Sequence, residues 1–263
     1  AQQTYSAYAF IKSSSLSISN LINVLSIKVK IFNTSSNLVG KDFIKDSLFH
    51  KNTKNKIAIR NLEFKYNQDN EIKYENFEFV EGRPTAILGK SGSGKTTLVE
   101  LILKLLIPNK GVIKLNNIDI QKIDTRYFYR NISYLSQSPF LFSGSLYENI
   151  LFGNNELINK EELYENGIKL GLKDEFGSQF LDYKISDFGR NISGGQAQRC
   201  SLLKIISNIK PILIIDEPSS ALDTNTSMIF NDLLLSKTKN SILIVITHSE
   251  AQANLFPEKY IFK

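Results

Sequence analysis

The chain has 263 residues, 42% of them hydrophobic and 22% charged, a composition that suits one or two globular domains with a full-sized core. Its net charge of +6 is spread over scattered lysines, so we interpret it as a solvated surface and expect no nucleic-acid partner. The single cysteine, Cys200, excludes an internal disulfide, and its apolar helical surroundings predict a buried, inert thiol.

Residues 1–55 form the first predicted domain, an amphipathic helix followed by a linker. Apolar side chains recur there at helical spacing, namely Ile18, Leu21, Ile22, Leu25, Val29 and Phe32. This helix either packs on its own domain or is the cytosolic end of a longer helix that enters a membrane upstream of Ala1, which is not an initiator methionine. Because no run of about 18 uncharged apolar residues occurs, the chain is not expected to cross a bilayer by itself. The polar stretch 41–56 predicts the linker.

Residues 56–263 form the second predicted domain, of the α/β class. Alternating apolar residues at 57–64 and 74–80 predict half-exposed antiparallel strands. Continuous apolar runs predict parallel strands covered on both faces, at 132–135, 212–215 and 242–246. A short buried strand is predicted at 85–88, and helices are predicted at 96–107 (followed by Pro108 and a turn at 109–111), at 161–172 and from about Ala197. We therefore expect a mostly parallel sheet with an antiparallel β subdomain and a helical subdomain.

A glycine-rich stretch after the strand at 85–88 matches the phosphate-binding pattern Gly-x-x-x-x-Gly-Lys-Ser/Thr. Its glycines let backbone N–H groups point at phosphate oxygens, and the N-terminus of the next helix adds positive potential. Lys95 is predicted to neutralise the β- and γ-phosphates of a bound nucleotide, and Thr96 to place its hydroxyl on Mg²⁺. The flanking strand and helix argue against a chance Gly/Ser-rich turn and indicate the core of a P-loop NTPase. The predicted nucleotide contacts are Gly89, Lys90, Ser91, Gly92, Ser93, Gly94, Lys95, Thr96 and Thr97.

Two adjacent carboxylates, Asp216 and Glu217, end the apolar run at 212–215. Such a pair at a strand end is costly unless a cation is present. Asp216 is predicted to bind Mg²⁺ through water, and Glu217 to act as the general base on the attacking water. The alternative is a solvated acidic turn, which the phosphate-binding loop disfavours.

A second cradle for an anion lies at Ser193, Gly194, Gly195 and Gln196, just before a predicted helix. One nucleotide needs only one such helix start. The chain therefore predicts a head-to-tail dimer, in which Ser193 of one copy meets the γ-phosphate held by Lys95 of the other. The alternative is an ordinary helix cap with a tight turn.

With these motifs in this order, residues 57–263 resemble the nucleotide-binding domain of ATP-binding cassette (ABC) transporters. The resemblance implies ATP and Mg²⁺ as cofactors. It implies that Tyr66 stacks on adenine and that Gln137 contacts both Mg²⁺ and the attacking water. It also implies that the loop Ser220-Ala221-Leu222-Asp223 crosses the dimer interface and that His248 contacts the γ-phosphate. A lone histidine at a strand end is more often structural, but its position after a buried apolar run favours the functional interpretation.

The segment Phe140–Leu146 with Glu148–Ile150 resembles exporter cassettes rather than importer cassettes. The amino-acid sequence at 96–103 is most similar to that of exporters of lipid-linked oligosaccharides or peptides. The resemblance implies a motor domain that couples dimer closure on ATP to transport. Its implied partners are a second cassette, expected to be identical, and a transmembrane domain on the same original chain. Its implied location is the cytoplasmic face of the inner or plasma membrane.

Three residues depart from the exporter pattern. Asp187 stands where exporters have a glutamate, in the loop that touches the membrane domains. Lys204 stands where they have an arginine, in the helix predicted from about Ala197. Pro218 follows the predicted general base Glu217, where alanine is usual. None removes a catalytic group. A DNA-organising cassette ATPase is disfavoured because the stretch 95–193 is too short for a long coiled coil. A soluble cassette acting on ribosomes normally carries two cassettes and remains the alternative.

Overall fold

The computed structural model describes residues 48–50, 52–66, 70–138, 140–152, 158–218 and 222–262. The predicted helix at 18–32 lies outside these residues and stays a prediction. Within the described part of the chain, no helix is both long enough and apolar enough to cross a membrane.

The described residues form β-strands, α-helices and short 3₁₀ turns. The strands are β1 (Lys56–Lys65), β2 (Glu71–Lys73), β3 (Phe77–Val80), β4 (Thr85–Gly89), β5 (Lys110–Leu115), β6 (Ile118–Asp119), β7 (Ile132–Leu135), β8 (Gly144–Ser145), β9 (Lys184–Ile185), β10 (Ile212–Asp216), β11 (Ile242–Thr247) and β12 (Glu258–Phe262). The helices are α1 (Lys95–Ile102), α2 (Thr125–Arg130), α3 (Leu146–Leu151), α4 (Lys160–Lys169), α5 (Leu172–Phe176), α6 (Gly194–Ile206), α7 (Thr224–Lys237) and α8 (Glu250–Ala253). Single 3₁₀ turns lie at Ile120–Lys122, Phe180–Asp182 and Asp187–Gly189.

An antiparallel sheet forms around β1, which pairs with β2, β3 and β5, while β6 extends it beyond β5. The strand predicted at 74–80 is wrong in its extent, because β3 begins only at Phe77 and residues 74–76 split it from the earlier strand β2. A bulge in β1 explains the split: Asn61 adopts a φ of 48°, and its N–H donates to the side chain of Asn76 instead of to a strand partner, at 2.6 Å. The predicted antiparallel pairing itself is confirmed.

A second sheet is wholly parallel, in the order β12-β4-β11-β10-β7. The three continuous apolar runs predicted as parallel strands are β7, β10 and β11, so this prediction is confirmed. Their side chains alternate between two cores: Ile212 and Ile214 pack with the antiparallel sheet, whereas Leu213 and Ile215 pack with the helices. Both faces are therefore covered, which is why these strands carry no polar alternation.

Two predicted helices end earlier than expected. The helix predicted at 96–107 is α1, which stops at Ile102 because Lys104 adopts a left-handed φ of 59° and its ammonium group donates to the Ile123 carbonyl at 2.8 Å. The helix predicted at 161–172 is α4 followed by α5, divided by Gly171 with a φ of 76°. The helix predicted from Ala197 is α6, which begins three residues earlier, at Gly194.

The parallel sheet brings the predicted motifs to one edge. The carboxyl ends of parallel strands lie at the same edge of a sheet, and ligands bind there in open α/β folds. The phosphate-binding loop follows β4, Asp216 is the last residue of β10, and His248 follows β11. Gln137 lies two residues beyond β7.

Candidate nucleotide-binding and catalytic site

The phosphate-binding loop turns from β4 into α1 through two glycines in the left-handed region. Gly92 has a φ of 81° and Gly94 a φ of 90°. A Cβ at Gly94 would lie 3.0 Å from a methyl carbon of Ile72 and 3.2 Å from the Tyr74 hydroxyl. Gly94 is therefore required both by its backbone conformation and by the lack of space. The hydroxyl of the buried Tyr74 donates to the Gly94 carbonyl at 2.9 Å and so supports the loop from below.

Lys95, the first residue of α1, is buried beneath this loop. Its ammonium group donates to the carbonyls of Gly89 and Lys90, at 2.6 and 2.7 Å. An ammonium group has three donors, so one remains available for a ligand held by the loop. Gly89 and Lys90 thus act in the site through their carbonyl groups, which hold the lysine.

Asp216 is a buried carboxylate at the end of β10. Burial raises its pKa above the usual range, the neighbouring Glu217 raises it further, and Lys95 opposes both effects. A carboxylate in such surroundings is stabilised in its charged form by a cation. The described residues hold no cluster of three or more His, Cys, Asp or Glu side chains that could bind a metal ion. A single carboxylate, that of Asp216, nevertheless fits Mg²⁺, which proteins usually bind through one or two carboxylates, substrate phosphates and water. The Thr96 hydroxyl would be a further ligand.

Glu217 adopts an unusual backbone conformation for a glutamate, with a φ of 52°. Its N–H donates to the carbonyl of Ile246 on the neighbouring strand, at 2.9 Å. Its carboxylate oxygen lies 2.5 Å from Nδ1 of His248. Glu217 is largely shielded, with 13% of its side chain exposed, whereas the His248 side chain is 66% exposed. The structure therefore places Glu217, the predicted general base, in direct contact with His248, the predicted contact of the γ-phosphate.

Tyr66 lies at the mouth of the site, with 53% of its surface exposed. Its ring packs edge-on against Phe64, with centroids 4.8 Å apart. Its hydroxyl lies 3.1 Å from the Thr97 hydroxyl and donates to the Glu100 carboxylate at 3.2 Å. These contacts to α1 fix a flat aromatic surface next to the phosphate-binding loop.

A cavity of about 850 Å³ joins these groups, a volume within the usual range for small-molecule sites. The sequence-predicted residues in its lining are Tyr66, Ser91, Gly92, Gly94, Lys95, Thr96, Thr97, Gln137, Asp216, Glu217 and His248. Sequence reasoning missed three lining residues, Asn70, Glu71 and Ile72. No local sequence pattern places Ile72 in the lining, because its position follows from its pairing with Phe64 on β1, the residue against which Tyr66 packs.

The second predicted cradle does not line this cavity within the described part of the chain. Ser193 caps α6: its hydroxyl accepts from the Gln196 N–H at 3.2 Å, and its own N–H donates to the Gln196 side chain at 2.9 Å. This is the ordinary helix cap considered as the alternative. The cap and the exposed Gly194 nevertheless leave the helix start open to the outside of the molecule.

Asp223 also lies outside the cavity and caps α7, where it accepts from the Thr226 N–H at 2.9 Å. The loop before it, 219–221, lies outside the described residues.

Residues 72–220 match the family model described as ABC transporter. The chain is 32% identical over 195 residues to the ATP-dependent lipid A-core flippase of Francisella tularensis subsp. holarctica, covering 73% of this chain and 32% of that protein. It is 29% identical over 238 residues to the transport/processing ATP-binding protein ComA of Streptococcus pneumoniae, covering 86% of this chain and 33% of ComA.

Two further matches point the same way. The lactococcin-A transport/processing ATP-binding protein LcnC of Lactococcus lactis is 36% identical over 179 residues, which cover 66% of this chain and 24% of LcnC. Among solved structures, a bacterial Atm1-family ABC exporter with ATP bound matches 80% of this chain and 38% of the exporter chain, with a TM-score of 0.73 and 25% identity. The chain thus spans a quarter to a third of the length of these curated relatives.

Proposed function

The chain belongs to the ABC transporter family, and from this premise we propose that it is the Mg²⁺-dependent ATP-hydrolysing motor of an exporter, coupling head-to-tail closure with a second cassette to transport. One observation carries the proposal. The phosphate-binding loop, the carboxylates Asp216 and Glu217, and His248 line a single cavity beside the aromatic ring of Tyr66.

The family, predicted from the motif order, is confirmed by the family match. The exporter type, predicted from Phe140–Leu146 with Glu148–Ile150, is confirmed by relatives named as a lipid A-core flippase and a transport/processing protein and by the likeness to a solved ABC exporter. The predicted P-loop fold class is confirmed as well. A soluble cassette that acts outside transport is not favoured, since these relatives are named as a lipid A-core flippase and as a lactococcin-A transport/processing protein.

The proposed site has two ends, one at Tyr66 for the nucleotide base and one at Lys95 for the phosphates. ATP with Mg²⁺ supplies the phosphoryl group when bound. Lys95 and the loop N–H groups hold the phosphates, Tyr66 holds the base, and Thr96, Gln137 and Asp216 are the proposed metal contacts. Glu217 removes the proton of the attacking water, and its contact with His248 keeps the carboxylate at the phosphate end of the cavity.

An exposed aromatic surface supports a transmembrane partner. Phe140 and Phe188 are each 70% exposed, and their ring centroids lie 6.1 Å apart. Nearby, Phe142 packs on Phe152, and the Lys204 ammonium group lies 5.6 Å from the centre of the Phe152 ring. Contiguous exposed apolar side chains mark interaction sites. The proposed occupant is the transmembrane domain of the same original chain, which would place the cassette on the cytoplasmic face of the membrane.

The test of the function is ATP hydrolysis by the Glu217→Gln variant. Removal of a general base costs about 10²–10⁴-fold in rate, so phosphate release should fall by that factor while binding of a fluorescent ATP analogue survives. Chelation of Mg²⁺ should stop hydrolysis in the parent chain. The control is Glu165→Gln on the exposed surface of α4, which should hydrolyse ATP as the parent does. Near-normal turnover by Glu217→Gln would show that another group acts as the general base.

A further inference from the structure

Two consecutive residues of α6, here called the signature helix, reach the segment that follows Glu217. The side-chain amide of Gln198 donates to the Pro218 carbonyl at 3.1 Å, and this contact is buried. The Arg199 guanidinium donates to the Asp223 carboxylate at 2.8 Å. Pro218 directly follows the proposed base, and Asp223 is the cap of α7. One helix therefore contacts both Pro218 and Asp223.

Arg199 also joins a third element. Its second terminal nitrogen donates to the carboxylate of Glu175 on α5 at 2.5 Å, and only 19% of the Arg199 side chain is exposed. A planar guanidinium can hold two carboxylates at once, whereas a lysine ammonium group is a point charge. Gly171 makes room for this arrangement, since a Cβ there would lie 3.0 Å from the guanidinium. The ion pairs thus connect α5, the signature helix and the start of α7.

Asp223 is suited to a fixed, charged role in this network. Its carboxylate accepts from the Thr226 N–H at 2.9 Å and from the Thr226 hydroxyl at 2.7 Å, in addition to Arg199. The hydrogen bonds from Thr226, and then the charge of Arg199, hold the pKa of Asp223 below its usual range. The carboxylate can therefore cap α7 and pair with the signature helix at the same time.

We propose that Gln198 and Arg199 are positioning residues that fix Pro218 and Asp223 to the signature helix, so that a contact made at Ser193 is transmitted to Glu217 of the same chain. This inference rests on the proposed function. In the proposed head-to-tail dimer, Ser193 meets the nucleotide bound by the partner copy. The signature helix then links the two nucleotide sites, because closure at one site positions the base of the other.

The test compares Arg199→Met and Gln198→Leu with the parent chain. A misplacement of about 1 Å can cost about 10²-fold in rate, so kcat is expected to fall about 10–100-fold in both variants. The Hill coefficient for ATP, which can approach the number of coupled sites, should fall towards one. Binding of a fluorescent ATP analogue by the single chain should stay within about twofold, since neither residue lines the nucleotide cavity. Arg199→Lys should recover part of the lost rate, because it restores the charge but reaches one carboxylate.

Lys237→Met is the matched control. It breaks the ion pair of α7 with Glu162 on α4 but touches neither Pro218 nor Asp223, so kcat and the Hill coefficient should stay at the parent values. If Arg199→Met does not fold, as judged by thermal melting, Gln198→Leu and Arg199→Lys carry the same test. Parent-like kcat and cooperativity in the folded variants would overturn the inference.

A second readout separates this inference from the proposed function. Hydrogen exchange at the Glu217 amide, which donates to the Ile246 carbonyl, reports the position of this residue without any hydrolysis. Exchange there should quicken in Arg199→Met and Gln198→Leu, and not in Lys237→Met. A parent chain without ATP hydrolysis would refute the proposed function, and unchanged exchange at Glu217 would refute the positioning role.

Discussion

Asp216 and Glu217 are adjacent carboxylates whose surroundings assign them different tasks. Asp216 is the last residue of a buried strand, where only a cation would offset the cost of its charge. Glu217 has left the strand, and its positive φ turns the chain so that its carboxylate meets His248. A non-glycine residue with positive φ persists only where its surroundings hold it, and such residues cluster at functional sites. Here the neighbouring strand holds it, through the hydrogen bond to Ile246.

At Tyr66 we predict that the aromatic ring, rather than the hydroxyl, binds the base. Stacking on an aromatic side chain contributes about 1–3 kcal/mol per base in other sites. Tyr66→Ala should therefore raise the Kd for ATP by about 5–150-fold, with little change in the preference for ATP over GTP. Titration with a fluorescent ATP analogue, followed by competition with each nucleotide, measures both effects.

The control for this prediction is Tyr66→Phe, which keeps the ring but loses the hydroxyl contacts with Thr97 and Glu100. Its affinity for ATP should stay close to that of the parent. Tyr74, another aromatic residue near the phosphate-binding loop, is buried below Gly94 and offers no free ring face. Tight ATP binding by Tyr66→Ala would show that the nucleotide base contacts another part of the cavity lining.

At the scale of the elements, the sequence predicted the parallel strands well and the breaks between elements poorly. β10 and β11 are five and six consecutive buried residues, a pattern that only a strand covered on both faces explains in this context. The bulge at Asn61 and the early end of α1 at Lys104 depend on partners far away in the sequence, Asn76 and Ile123. A local pattern carries no information about such partners.

We predict that Gly111 is indispensable to the antiparallel sheet. It lies in β5 with a φ of 78°, and a Cβ there would lie 2.2 Å from the Asn61 carbonyl oxygen in the bulge of β1. Overpacking of this kind typically costs about 1–3 kcal/mol, in addition to the strain of a positive φ. Gly111→Ala should therefore lower the free energy of unfolding, measured with urea, by more than the backbone strain alone.

The variant Gly189→Ala measures the cost of a positive φ at alanine without any crowding. Gly189 has a similar φ of 88°, but nothing lies within 4 Å of its Cβ position. The difference between the two variants then measures the crowding at the bulge. Equal losses of stability in the two variants would show that the backbone of β1 near Asn61 moves to accept the added Cβ at no cost in free energy.

At the scale of the whole molecule, the order of strands explains why the site could be predicted without a structure. Four motifs follow four different parallel strands, and parallel strands place their carboxyl ends at one edge. Motif reading therefore assigned the phosphate-binding loop and the two carboxylates of the cavity lining, and the family resemblance added Tyr66, Gln137 and His248. Neither could find Ile72 or the contacts of Arg199, because these depend on how separate elements pack. The N-terminal helix and the domain boundary at 55 stay predictions.

The two anion cradles of one chain cannot both serve one nucleotide in the described structure. Lys95 lies in the cavity lining, whereas Ser193 is exposed and is absent from that lining. A head-to-tail dimer solves this problem, since each site then combines Lys95 of one copy with Ser193 of the other. We predict that ATP holds the two copies together and that they separate when it is lost.

Mixed dimers test this arrangement in the Glu217→Gln background, which should retain bound ATP. One copy carries Lys95→Ala and the other Ser193→Arg. In the mixed dimer both lesions fall in one site, and the second site keeps its intact Lys95 and Ser193. In each pure variant both sites are damaged. Sedimentation velocity should therefore show an ATP-dependent dimer in the mixture and monomers in either variant alone, whereas dimers of the pure variants as abundant as those of the parent would rule out the head-to-tail arrangement.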